Sequence, residues 1–205
     1  MSITTQTGIS RAVMRLGAAP LMVLVLMWSY SAGLYAQTAR ETATGVKVGY
    51  IYNFLRYVSW PQEALGEKDP LVVAIVDDRE LATELSRAVA DRTLDGRPLA
   101  VRRALDAAGA RGAHVVFVAG NSDSRLREIS AAAGPVLIIT EADKALDHGS
   151  VINFVEMGGR IRFEVSVVAA QQRRLAISSR MLAVALNVRT SMMNMLAAIQ
   201  VIVHA

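Results

Sequence analysis

The side chains best placed to do chemistry are Asp77 and Asp78, which directly follow the apolar run Leu71–Val76. Two carboxylates at the end of a buried strand could hold Mg²⁺ beside a phosphate-accepting aspartate. That chemistry needs an acceptor Asp at the end of the central strand, where Phe117-Val118-Ala119-Gly120 stands instead. Thr140 and Lys144 match only by residue type. Helix capping and a solvated turn account for both aspartates. The three histidines, His114, His148 and His204, lie far apart with no two at a ligand spacing, so no metal site is expected. No Gly-x-Ser-x-Gly elbow is present. Gly45, Gly49, Gly96, Gly109 and Gly112 make no phosphate-cradling loop. The chain has no cysteine, which excludes thiol chemistry, disulfides, iron–sulfur clusters and thiolate zinc sites. Neither a catalytic residue nor a cofactor is assigned.

What remains suits recognition. The segment VKVGYIYNFLRYVSWP, Val46 to Pro61, packs three Tyr, a Phe and a Trp into a chain that is 5% aromatic. Tyr50, Tyr52, Tyr57 and Trp60 are spread around the circumference of one helix and cannot all face one core. Rings with a polar tip fit half-buried surfaces, so some should line a groove or interface. The duller alternative is that Tyr50 and Tyr57 pack under loops while Trp60 plugs the end of a sheet.

The elements that must position these residues can be read in order. Arg11 and Arg15, then an apolar run from Ala18 to Met27, then small and polar residues, form the pattern of a secretory signal peptide. Cleavage after Leu34-Tyr35-Ala36 would divide the chain into a signal (1–36), a short linker (37–43), an α/β domain (44–186) and a helical extension (187–205). Without Arg11 and Arg15 the 22 basic residues fall to 20 against 18 acidic, so the formal charge drops from +4 to +2. Scattered arginines alternating with acids lack the basic stripe of a nucleic-acid binder. A helix is expected from Thr44 to Ser59, closed by Pro61. Leu71–Val76 and Ala113–Ala119 read as strands buried on both faces, with further strands at Leu99–Arg103 and Val136–Ile139. Helices at Arg79–Ala90, capped by Asp78, and from Ser122 or Asp123 to Ala132 alternate with them, which argues for parallel strands. From Ser150 the pattern changes to a hairpin, Val151–Glu156 and Arg160–Val165 around Met157-Gly158-Gly159. Ile161, Phe163 and Val165 alternate with Arg160, Arg162 and Glu164. Ser178-Ser179 would cap a long C-terminal helix whose apolar stripe runs Met181, Val184, Val188, Met192, Met195, Ile199, Ile202. The expected fold class is α/β: a mixed, mostly parallel sheet flanked by helices, with an antiparallel hairpin edge and that long helix.

These residues resemble a known family. Lys47, Tyr50, Tyr52-Asn53-Phe54, Tyr57 and Trp60-Pro61 are similar to the opening motif of the YfiR-type periplasmic regulators. Gly96-Arg97-Pro98-Leu99, His114–Val118, Gly149–Phe154, Arg162-Phe163-Glu164 and Ile177–Leu182 continue the series in order, over about residues 44–186. The resemblance implies an exported repressor that binds the periplasmic sensor region of an inner-membrane diguanylate cyclase, lowering cyclic-di-GMP and biofilm formation. It also implies sequestration by an outer-membrane lipoprotein. Relatives often carry cysteines, and often an Asn where Ser166 stands here. The candidate contact residues are Tyr52, Trp60, Arg162, Glu164 and Arg180. Arg162 and Glu164 share an outward strand face and could pair with each other. Asn153 is expected to satisfy backbone groups at the hairpin. Met181, Val184, Val188, Met192 and Met195 are candidates for self-association as a homodimer. A membrane-embedded tail is disfavoured by Arg189, Asn194 and Gln200. The rival reading is a periplasmic binder of a small aromatic or anionic ligand, with the aromatic helix and nearby arginines as its pocket.

Overall fold

A computed structural model describes residues 43–66, 68–132 and 134–190. The expected signal peptide, the linker up to residue 42, and Met192, Met195, Ile199 and Ile202 lie outside the described residues. The first helix, α1 (residues 43–57), buries Ile51, Phe54 and Leu55, at most 2% exposed, on its inner side. Gly45, Gly49, Asn53 and Arg56 mark its outer side. Behind it the chain straightens into β1 (Val58–Ser59), and a 3-10 turn at Gln62–Ala64 follows Pro61.

The described residues form an eight-stranded sheet. Five strands run parallel in the order β4 (Arg97–Ala104), β2 (Leu71–Val76), β5 (Val115–Val118), β6 (Leu137–Thr140), β7 (Ile152–Met157). The short β3 (Thr93–Leu94) lies antiparallel on one edge, and β8 (Arg160–Ser166) antiparallel on β7. Gly158 and Gly159, with φ of 59° and 70°, make the two-residue connection between β7 and β8. A type I′ hairpin turn requires positive φ at both positions, which glycine adopts without steric cost.

Side-chain alternation divides the core in two. Val73, Ile75, Val115, Phe117, Leu137, Ile139 and Phe154 point to α1, α2 (Arg79–Val89) and α4 (Val167–Gln172). Ala74, Val76, Val116, Val118 and Ile138 point to Leu126 and Ile129 of α3 (Asp123–Ala131) and to Ala104, Ala110 and Ala113. Caps explain the boundaries: Asp78 accepts from Leu81 N at 2.9 Å, and Ser166 accepts from Ala169 N at 3.1 Å. On the first face, Phe54 meets Phe163 edge-on at 4.9 Å between centroids and stacks on Phe154 at 5.8 Å. Tyr50 closes the cluster over Phe54 and Phe163.

The C-terminal region departs from expectation. Ser178 does cap a helix, its hydroxyl accepting from Arg180 N at 3.3 Å. That helix, α5 (Ser179–Leu182), has only four residues. Leu186 N then donates to Phe163 O at 2.8 Å, and Asn187–Arg189 forms β10, parallel to Glu164–Ser166 of β8. The described part of the expected long helix is therefore a short helix, a turn and an edge strand. The cause is the open edge of β8, whose unpaired backbone groups offer the chain a ladder that spacing along the sequence does not reveal. β9 (Ala176–Ile177) pairs antiparallel with β1 in a separate two-stranded sheet.

The aromatic cluster gives a direct test. Phe54→Ala should lower unfolding free energy by about 3–5 kcal/mol. Asn53→Ala, on the exposed side, should change it by less than about 0.5 kcal/mol. Urea denaturation reads both, and equal losses would remove the assignment of Phe54 to the core.

Candidate functional site

In open α/β sheets, ligands commonly bind beyond the carboxyl ends of the strands, where successive connections part to opposite sides. Here that point lies between β2 and β5. It is filled by the protein's own charges. Asp77, in the left-handed region at φ 62°, forms an ion pair with Arg125 of α3. Asp78 is spent on the α2 cap. Glu141, just past β6, is ion-paired with Lys47 of α1 and accepts from Gly120 N at 3.1 Å. Thr140 donates its hydroxyl proton to Asn153 Oδ1 at 2.7 Å, and its oxygen lies 2.8 Å from Ser150 Oγ. Asn153 Oδ1 also accepts from Ala142 N at 3.2 Å. Asn153 thus ties β7 to the end of β6, a correction to its expected place at the hairpin. Among the described residues, no group of three or more His, Asp and Glu is arranged to hold a metal ion.

A second concavity is open. Where α1 runs out into β1, and β9 returns beside it into α5, a groove of about 390 Å³ is lined by Arg56, Tyr57, Ser59, Ala176, Ile177, Ser178 and Arg180. Ser178 N donates to Tyr57 O at 2.8 Å, and the pairs Val58–Ile177 and Ser59–Ala176 fix the two walls together. Arg56 and Arg180 are both exposed, and neither forms an ion pair among the described residues. Two guanidiniums beside a tyrosine and serine hydroxyls suit a carboxylate- or phosphate-bearing group with an apolar or aromatic part.

The contact residues read from sequence are dispersed. Arg180 lies in the groove. Tyr52 is half-buried, with the Arg92 guanidinium 4.8 Å from its ring centroid. Trp60 packs on the core, its indole N–H donating to His114 O at 3.2 Å. Arg162 and Glu164 share the outward face of β8, and no ion pair joins them. Of the self-association set, Met181 is 2% exposed and belongs to the core, while Val184 is 60% exposed. Val188 is half-buried on β10. The sequence reading missed Arg56. One signal was available: Lys47 and Arg56 are the only charges in the aromatic segment, and Arg56 falls on the helix side away from Phe54 and Leu55.

The two regions should respond oppositely to mutation. Asn153→Ala strands the Ala142 N–H and removes an acceptor of the Thr140 hydroxyl, and should cost about 1–3 kcal/mol of stability. Arg56→Ala and Arg180→Ala should each stay within about 0.5 kcal/mol of the parent. Thermal or urea unfolding of the three variants checks this.

A family profile described as YfiR/HmsC-like matches residues 44–186. No curated protein matches the chain. Among solved structures, a conserved domain protein from Vibrio cholerae O1 biovar El Tor str. N16961 aligns at 14% identity and a TM-score of 0.43. That alignment covers 58% of this chain and 55% of the other. Among the described residues, no helix is long and apolar enough to cross a membrane. With the family match running from the aromatic helix to the residue before β10, the chain belongs to the YfiR/HmsC-like family.

Proposed function

We propose that this chain is an exported regulator that works in the periplasm by contact. It binds the periplasmic sensor region of an inner-membrane diguanylate cyclase, holds cyclic-di-GMP synthesis low and so restrains biofilm formation. An outer-membrane lipoprotein that sequesters it would free the cyclase. Such control is a shift of populations: the regulator must bind the inactive receptor better than the active one, by about 1.4 kcal/mol per tenfold bias. The observation that carries this reading is the open groove with Arg56 and Arg180, which form no ion pair among the described residues, set against a strand-end crevice closed by ion pairs. It is built from the aromatic opening segment and the Ser178–Arg180 segment, both within the family match. Tyr52, Trp60, Arg162 and Glu164 are further contact candidates, and Val184 and Val188 are candidates for pairing with a second copy.

A second reading rests on the groove's size. About 390 Å³ falls within the range of small-molecule sites, roughly 300–1,000 Å³. A small anionic or aromatic ligand could bind there.

Binding of the purified chain to a solubilised membrane cyclase separates the readings. The parent should bind, and Arg56→Ala with Arg180→Ala should weaken binding at least tenfold, about 1.4 kcal/mol. Unchanged affinity in the double variant would remove the groove from the contact. No cyclase binding, together with a melting shift on adding a small anion, would favour the second reading.

A further inference from the structure

His114 joins three parts of the fold. Its backbone N donates to Val72 O at 2.9 Å, and its carbonyl accepts from Leu137 N at 2.9 Å and from the Trp60 indole at 3.2 Å. Its side chain completes the set. Nδ1 accepts the Val72 N–H at 3.0 Å, taking the place of a backbone acceptor where the β2–β5 ladder, which begins at Val73 and Val115, has not yet started. A ring nitrogen that accepts a backbone N–H cannot carry a proton, so the neutral ring with its proton on Nε2 is built into this arrangement.

We propose that His114 is a proton-operated latch: protonation at Nδ1 breaks the bond to Val72 N–H and loosens the hold on Trp60 and the segment leading from it into β2. The consequence follows from connectivity. The bonds to Val72 N–H and to the Trp60 indole are both made by this one residue, so losing the first leaves His114 less firmly held where it accepts the second. Trp60 adjoins Ser59 of the groove, so acid would reshape that wall.

The surroundings favour the neutral ring at ordinary pH. Burial pushes the His114 pKa below the usual value of 6.5, the Ala64 carbonyl works against this, Arg97 adds to it, and Asp69 opposes it. Arg97 also donates to the Asp69 carbonyl at 2.8 Å, bracing the same segment. A base whose folded pKa is depressed binds fewer protons folded than unfolded between that value and 6.5. Its contribution to stability is therefore full above 6.5 and is lost as pH falls through that window.

The test needs no partner, so its outcome is independent of the regulatory reading above. In the full chain carrying Trp28→Phe, Trp60 is the sole indole. Its emission should shift reversibly to longer wavelength between about pH 8 and pH 4.5, with a midpoint below the usual ~6.5. His114→Asn supplies an amide oxygen for the Val72 N–H and does not titrate, so its emission should stay flat over the same range. An unchanged parent, or the same transition in His114→Asn, would overturn the latch. Should His114→Asn fail to fold, amide exchange in the unsubstituted histidine chain decides. Val72 protection, corrected for intrinsic rate, should fall at least tenfold on acidification, and constant protection would overturn the proposal.

Discussion

The burial of one face of α1 on the sheet is the contact on which the rest of this structure depends. An isolated helix of about fifteen residues is marginal in water. This one also carries Gly45 and Gly49 on its exposed side, each costing about 1 kcal/mol relative to Ala. An added Cβ at either glycine would meet nothing within 4 Å, so they gain no packing among the described residues in return. Ile51, Phe54 and Leu55, with Val58 just beyond the helix in β1, supply the compensation, each contributing roughly 1.5–3 kcal/mol by burial. With no cysteine in the chain, nothing covalent substitutes for this packing.

Once docked, α1 sets the geometry of both ends of the sheet. Lys47 near its start reaches Glu141 at the carboxyl ends of the strands, while Trp60 beyond its end reaches His114 at the amino end of β5. The helix therefore runs the length of the sheet, about 22 Å at 1.5 Å per residue. The side chains at its two ends have different fates. Lys47 and Glu141 are each about one-fifth exposed and neutralise one another, with Gly120 N–H sharing the carboxylate. Arg125 does the same for Asp77. The position where an α/β sheet usually takes a ligand is thus occupied from within, and Arg56, outside the sheet, keeps a positive charge with no ion-pair partner among the described residues.

Much of this was legible locally. Buried strands such as Leu71–Val76 declare themselves by unbroken apolar runs, and the β7–β8 hairpin by two adjacent glycines between alternating segments. Asp78 was readable as a cap because the apolar spacing of Leu81, Leu85 and Val89 begins just behind it. Asn153 was not, because its partners Thr140 and Ala142 belong to another strand's end. The groove was half legible. Tyr57 and Arg180 each stood out, but the pairing of two-residue strands that joins them, Val58 with Ile177 and Ser59 with Ala176, leaves no pattern in either segment.

The C-terminal region shows why periodicity can mislead. Met181, Val184 and Val188 do fall at helical spacing, yet only Met181 reaches the core, at 2% exposed. After Leu182 two structures compete. Continuing the helix would satisfy the backbone of residues 183–189 but leave the outer edge of β8 unpaired. Turning at Ala183 lets Leu186 N reach Phe163 O and lets Asn187–Arg189 pair with Glu164–Ser166. The second arrangement satisfies both backbones and sets Val188 beside Val165. Arg189 then lies 2.5 Å from Asp147, which ties the edge strand to the turn before β7. Val184, 60% exposed, is the residue of the apolar stripe that this exchange leaves in solvent. Its exposure follows from the sheet completing its own edge, whatever later covers it.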